Sequence, residues 1–264
     1  MLRIVTICLL LISQNVSADT FDHSRLDRLL QQHVVMQGQG EASAVDYAAL
    51  AAKPGDLESY LQALSAVDKS EFEQWAESEQ LAFLINAYNA FTLQLILTKY
   101  PDLDSIKDLG SLFRSPWKKA FVPLLGEQRS LDDIEHGLIR GSGRYAEPRI
   151  HFAVNCASIG CPALLNRAYQ GDQLEQQLER QTRAFLSDRS RNRIEGGELQ
   201  LSPIFKWYRE DFEQGWRGSD NLSQFLLRYA DPLGLNAAQR QQLQQQDLEI
   251  DFTDYNWLLN DVRS

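Results

Sequence analysis

Residues 149–165, RIHFAVNCASIGCPALL, bring one histidine and two cysteines into one short stretch of a chain with only four histidines and three cysteines. A cysteine reacts as its thiolate, which forms near neutral pH only beside a base, a cation or a favourable dipole. Cys161 precedes Pro162, and proline suits the first position of a helix, so Cys161 is a candidate N-cap. There, unsatisfied N–H groups and the helix dipole would lower the thiol's pKa. Ile150 to Asn155 alternates weakly, which predicts a short strand with His151, Ala153 and Asn155 on one face. On such a strand His151 and Cys156 stand about 16 Å apart, at ~3.3 Å per residue, too far for a direct dyad. The competing reading is a Cys156–Cys161 disulfide closing a small loop. Zinc held by His136, His151, Cys156 and Cys161 is a third reading; the ligand types fit, although the spacing is not Cys-x-x-Cys.

The remaining parts of a site must come from other elements. SLDDIEHGLIR, residues 130–140, reads as a helix with Ser130 as cap and Asp133 in the capping-box position. Leu131, Ile134 and Leu138 define its buried face, and Glu135 falls on that face, while His136 and Arg140 lie towards the polar side. A carboxylate aimed at a core must be paired or protonated. Residues 79–100, EQLAFLINAYNAFTLQLILTKY, are apolar nearly all round and end at Pro101, which predicts a central buried helix. Asn86 and Asn89, three apart, share one face of it. They either tie the helix to neighbouring backbone or line the site.

Four motifs carry a family resemblance: LINAYNA (84–90), SLDDIEHGLIR (130–140), HFAVNCASIGCP (151–162) and IFKWYREDF (204–212). Together they resemble the domain of unknown function 547 family over roughly residues 80–230, with the third motif the most distinctive. The positions carried over by that resemblance are Asn86, Asn89, Glu135, His136, His151, Asn155, Cys156, Cys161, Pro162, Lys206 and Asp211. The resemblance implies no activity. A buried helix followed by a sheet carrying His is also similar to papain-like and transglutaminase-like folds. Those place the nucleophilic cysteine at the start of the helix, where this chain has Leu84, Ile85 and Asn86.

The rest of the chain frames these parts. Residues 21–37 predict an amphipathic helix, 55–67 another and 171–187 a third. FVPLLGEQR (121–129) reads as a strand, a glycine turn and a return, and RIEGGELQLSPI (193–204) as a hairpin about Gly196-Gly197. The closing segment EIDFTDYNWLLN is expected to dock on the sheet. The fold class is therefore α+β: mostly helical, with a buried central helix packed on a small, largely antiparallel sheet of four or five strands. Residues 19–78 form a helical extension, and 79–264 the core domain.

Residues 1–18 have the pattern of a secretory signal: Arg3, an apolar run from Ile4 to Ile12, and small residues before a cleavage site near Ala18. The run is too short to span a bilayer. The expected location is the periplasm or the exterior, where two nearby cysteines can pair. A formal charge of −10 argues against nucleic acid and anionic membrane surfaces, which select for lysine and arginine. The expected partner is a small molecule or a protein, with no cofactor and no stable insertion of the mature chain in a membrane. The lead functional reading is a thiol-dependent enzyme: a Cys/His hydrolase, a transferase or a thiol–disulfide exchanger. In it Cys156 or Cys161 is the nucleophile, His136 or His151 the base and Glu135 the orienting carboxylate, with Asn86, Asn89, Asn155, Lys206 and Asp211 lining the site. The alternatives are a non-catalytic binding domain with a structural disulfide, and a metal-binding domain.

Overall fold

The computed structural model describes residues 20–111 and 114–263; the expected leader lies outside them. In chain order the elements are α1 (Ser24–His33), β1 (Val34–Gln37), β2 (Ala42–Val45), α2 (Tyr47–Ala52), α3 (Gly55–Ser65), α4 (Lys69–Phe72) and α5 (Glu77–Leu97). There follow β3 (Val122–Leu124), β4 (Glu127–Arg129), a π-helical segment Asp133–Ile139, a 3-10 turn Pro148–Phe152, and α6 (Leu174–Ser187). The last third holds β5 (Arg193–Glu195), β6 (Glu198–Leu201), α7 (Ile204–Trp207), α8 (Arg209–Phe212), α9 (Leu222–Arg228), α10 (Ala237–Gln245) and β7 (Ile250–Phe252).

The fold is α+β, as its pattern of elements predicts. The strands do not share one sheet, however. β1–β2 and β3–β4 are separate antiparallel hairpins, and β5–β6–β7 is a three-stranded sheet in which β7 runs parallel to β6. Gly196 and Gly197 turn β5 into β6 with both φ angles positive, the conformation that a two-residue hairpin requires. The closing aromatic segment does dock there through β7. The predicted helix over 21–37 is shorter than expected, because its last four residues leave the helix to pair with β2.

α5 is the axis of the larger core. Its leucines, alanines and aromatics are buried on almost every side, as a helix with no polar face must be. The helix is long and apolar enough to cross a bilayer, yet 89% of its most apolar window is buried within the protein. Leu26 and Leu30 of α1 and Leu57, Tyr60 and Leu64 of α3 belong to the same core, so residues of the N-terminal segment pack directly around α5. A second core gathers Phe152, Phe185, Phe205, Phe212 and Phe225 with the β5–β6 hairpin.

The opening stretch runs between these two cores. Ile150 and Val154 face the first and Phe152 the second. The predicted strand is absent here: residues 148–152 form a 3-10 turn, begun by Pro148 and capped by the Glu147 carboxylate, which accepts from the Arg149 N–H at 3.1 Å. The alternation that suggests a strand arises because the turn feeds side chains to two cores in succession. The helix expected at Pro162 is also absent, since α6 begins only at Leu174. Cys161 is therefore no N-cap. The backbone after it is held by side chains from outside any helix instead: Pro162 O accepts from Asn155 Nδ2, and the Leu164 N–H donates to the distant Ser43 Oγ, both at 2.8 Å.

Candidate functional site

His151 leaves the 3-10 turn pointing into a cavity of about 200 Å³. One wall is the π-helical segment, which contributes Glu135 and His136, with Asp132 just before it. Ser130 and Asp133 bond reciprocally at 2.7–3.1 Å and fix the start of that helix, so aspartate serves here in the capping-box role. π-helical turns are rare and cluster at functional sites. At its exit Gly141 approaches so closely that a Cβ would lie 2.6 Å from the His136 carbonyl oxygen, which requires glycine. Glu135 is buried, as its place on the helix face predicts, and the Tyr88 and Tyr208 hydroxyls are its hydrogen-bond partners.

The second wall is aromatic. Tyr208 stacks on the His151 ring at 3.8 Å, and Trp207, Tyr255 and Trp257 close the far side. The third is the cysteine pair. Cys156 and Cys161 both line the cavity, with Cα atoms 6.1 Å apart and sulfurs at disulfide distance. The loop between them is tied down by the C-terminal segment: the Ile159 and Gly160 N–H groups each donate at 2.8 Å, to Leu258 O and Asn256 O. A Cβ on Gly160 would meet Asn256 O at 2.9 Å, so only glycine admits this approach.

The electrostatics centre on His151. Its Nε2 is 2.7 Å from Asp211 Oδ2, and Arg140 donates to both Asp211 oxygens, at 2.5 and 2.9 Å. Burial would push the Asp211 carboxyl up, but the bonds from His151 and Arg140 outweigh it and hold the group well below the usual range. An ionised Asp211 can only accept, so His151 carries its proton on Nε2. Burial lowers the His151 pKa, with partial opposition from Asp211 and Glu135, and the ring stays neutral near pH 7. Its Nδ1 is thereby a free lone pair. Buried and without a hydrogen-bond partner, it lies 3.9 Å from Glu135 Oε1. A second cavity of about 270 Å³ lies on the other side of the His136–Arg140 pair, but His151 and the cysteines do not line it.

The residues singled out from sequence thus separate into groups. His151, His136, Glu135, Cys156 and Cys161 meet at one cavity. Asp211 stands directly behind His151 and, rather than Glu135, makes the hydrogen bond that orients the ring. Asn86 and Asn89 support the wall from behind. Asn86 donates to Tyr169 O at 2.8 Å and accepts from Tyr169 N at 2.9 Å; Asn89 donates to Ala153 O at 3.0 Å and accepts from Asn155 N at 2.8 Å. Asn155 braces the cysteine loop through Pro162 O and the Ala157 N–H. Lys206 is exposed, with its ammonium over the Phe252 ring at 5.9 Å. Sequence reasoning misses Tyr88, Trp117, Trp207, Tyr208, Tyr255 and Trp257; the last four have a signal in the aromatic density of 205–212 and 252–257, and Tyr88 and Trp117 have none. Among the described residues no three His, Cys, Asp or Glu side chains are grouped to hold a metal ion.

The fold and the site together define an α+β domain with a buried His–Asp pair facing two cysteines across an aromatic cavity. Residues 72–186 match the family described as Protein of unknown function, DUF547, the family that the motifs resemble. The match takes in three of the four motifs and ends before the fourth, so Asp211, Tyr208 and the C-terminal aromatics come from outside it. No curated protein and no solved structure matches the chain.

Proposed function

We propose that this is an exported thiol–disulfide exchange domain, with the Cys156–Cys161 pair as the redox couple and His151 as the proton-transfer group. The observation that carries the reading is the shared cavity: both cysteines, His151 with its unpartnered Nδ1, and Glu135 all belong to its lining residues. A cysteine hydrolase is less well supported, because His151 bonds Asp211 rather than a thiol.

The surroundings of the two sulfurs divide the labour between them. Cys161 is 3% exposed and Cys156 more so, so an incoming thiolate reaches Cys156. Its attack forms a mixed disulfide at Cys156, breaks the Cys156–Cys161 bond and expels Cys161 as a thiolate. The Cys156 N–H, 2.9 Å from Cys161 Sγ, and the Tyr255 hydroxyl, at 3.3 Å, are placed to stabilise that charge. Burial above all pushes the Tyr255 phenol up to about 12, so it remains a donor. A second substrate thiolate then attacks the substrate sulfur of the mixed disulfide, releases the product disulfide and expels Cys156; His151 Nδ1 takes the proton of each incoming thiol and returns it to a protein thiolate, so the couple ends as two thiols. An external disulfide reverses the sequence. Export, as the leader pattern implies, supplies the oxidising compartment that the couple needs.

Trapping tests this. Reduced Cys161→Ser protein should capture glutathione from oxidised glutathione as a mixed disulfide at Cys156, seen by mass spectrometry. Cys156→Ser should react far more slowly, since Cys161 is buried. If both variants, and the mildly reduced wild-type chain, resist labelling, the reading loses its nucleophile.

A second reading also has an observation behind it. The loop inside the cysteine pair is bonded to the C-terminal segment, so a purely structural disulfide in a binding domain would make physical sense. In that case a Cys156→Ser, Cys161→Ser variant lowers the melting temperature and leaves ligand binding intact.

A further inference from the structure

The walls and charges of the His151 cavity define the kind of group it would hold. Its rim is a run of touching rings: Trp117 and Trp207 each meet Trp257 with centroids 5.8 Å apart. Tyr208 continues the aromatic surface inward. Among the described residues its lining holds two carboxylates, Asp132 and Glu135, beside His136 and His151, and no lysine or arginine. The nearby cations stand outside the lining: Arg140 is paired with Asp211 and His136, Lys107 lies over the Trp257 ring at 3.6 Å, and Lys118 acts on Asp132. His136 accepts from Arg140 through Nδ1, 2.9 Å away. Aromatic faces and carboxylates attract positive charge.

Two acceptors sharpen the specification. His151 Nδ1 is a buried lone pair with no partner, and Glu135 Oε1 stands 3.9 Å from it. That gap is too long for a hydrogen bond between them, and both groups are acceptors. A nitrogen donating to both at ~2.8 Å would span the gap with an angle near ~90°. We propose that the cavity binds a primary or secondary alkylammonium group, its N–H donors shared between His151 Nδ1 and Glu135 and its carbon chain against the tryptophan and tyrosine rings. This rests on reading the cavity as the functional site, but not on any chemistry of the cysteines. A quaternary ammonium would satisfy the rings and the charge, yet it would leave His151 Nδ1 without a donor and add none to Glu135 beyond its tyrosines.

Tryptophan fluorescence of the full chain, titrated near neutral pH at constant ionic strength, tests the proposal with three probes: n-butylammonium, tetramethylammonium and n-butanol. The expected result is saturable binding of n-butylammonium, at least tenfold tighter than n-butanol and several-fold tighter than tetramethylammonium. Glu135→Gln should remove most of that preference. Because Glu135 is buried, the half-exposed Trp207→Ala serves as a second variant and should weaken n-butylammonium several-fold. Equal affinity for n-butanol and n-butylammonium overturns the proposal, as does tetramethylammonium binding as tightly as n-butylammonium. Thiol labelling of the same samples separates the two ideas. A chain that exchanges its disulfide but shows no preference for the amine contradicts this inference alone. One that prefers the amine while its cysteines stay inert contradicts only the exchange reading.

Discussion

Arg149 and His151 lie two residues apart on the same turn, and both are buried among carboxylates, at 1% and 2% exposure. Their hydrogen bonding is opposite. The Arg149 guanidinium meets Glu147 and Glu175 in paired bonds of 2.6–3.0 Å, reaches Glu179 at 3.4 Å, and lies over the Trp216 ring. Each of its three nitrogens has a partner. His151 has one nitrogen firmly bonded to Asp211 and leaves the other bare beside a cavity. A native protein satisfies buried polar groups where it can, so the first cluster is a fastening and the second is an opening for something else. An unpartnered nitrogen is not enough by itself. His23 Nε2 is also bare, but that ring is packed against Phe21 and Phe83. The cavity makes the difference.

The contrast can be broken first at Arg149. Arg149→Met removes one partner of a buried cluster, a change that typically costs 3–5 kcal/mol, and the outer side of this cluster reaches solvent at Glu175, so about 3–4 kcal/mol is expected. Urea unfolding should show that loss, while thiol exchange by the native fraction stays unchanged. A loss below about 1 kcal/mol would mean that the arginine is not a fastening.

The next effect follows from His23, whose pKa is lowered to about 4, mainly by burial. The unfolded chain binds this proton from about pH 6.5 downward and the folded chain only near pH 4, so acidification favours unfolding across that window. The stability lost is on the order of 3 kcal/mol, and burial of His151 adds to it in the same sense. His23→Gln should flatten the dependence of melting temperature on pH; an unchanged slope would assign the acid sensitivity elsewhere.

Asn89→Ala comes third. It strips partners from Ala153 O and Asn155 N, both at the root of the cysteine loop, and should cost about 2 kcal/mol. The smallest stability effect belongs to His151→Phe, which keeps an aromatic ring beside Tyr208 and removes the bare nitrogen together with the bond to Asp211, whose two oxygens stay paired with Arg140. Stability should change by about 1.5 kcal/mol, while the exchange rate falls about a hundredfold, the lower range for loss of a proton-transfer group. A variant that unfolds readily but exchanges normally would reverse the roles assigned to these two neighbours.

Much of this was legible from residue pattern. The inward turn of Glu135 follows from the helix wheel, and the common face of Asn86 and Asn89 from their spacing, although only the structure shows that both amides clasp backbone. The Gly196-Gly197 hairpin and the Gly126 turn are local chemistry and fall where expected. What local pattern hides is tertiary. The 148–152 turn looks like a strand because two different cores draw on it in succession. Cys161 looks like a helix cap because Pro162 permits one, but the Asn155 and Ser43 side chains take the backbone that a helix would have used. The Arg140–Asp211 pair joins residues 71 apart, and no periodicity announces it.

The account stands most directly on whether the Cys156–Cys161 pair exchanges within the folded protein. Equilibrating the chain against graded mixtures of reduced and oxidised glutathione, with alkylation and mass spectrometry beside circular dichroism, measures this. Reversible reduction with the fold intact, through a mixed disulfide on Cys156, is the predicted result. A pair that stays oxidised until the fold is lost would contradict it and leave the disulfide a structural clasp.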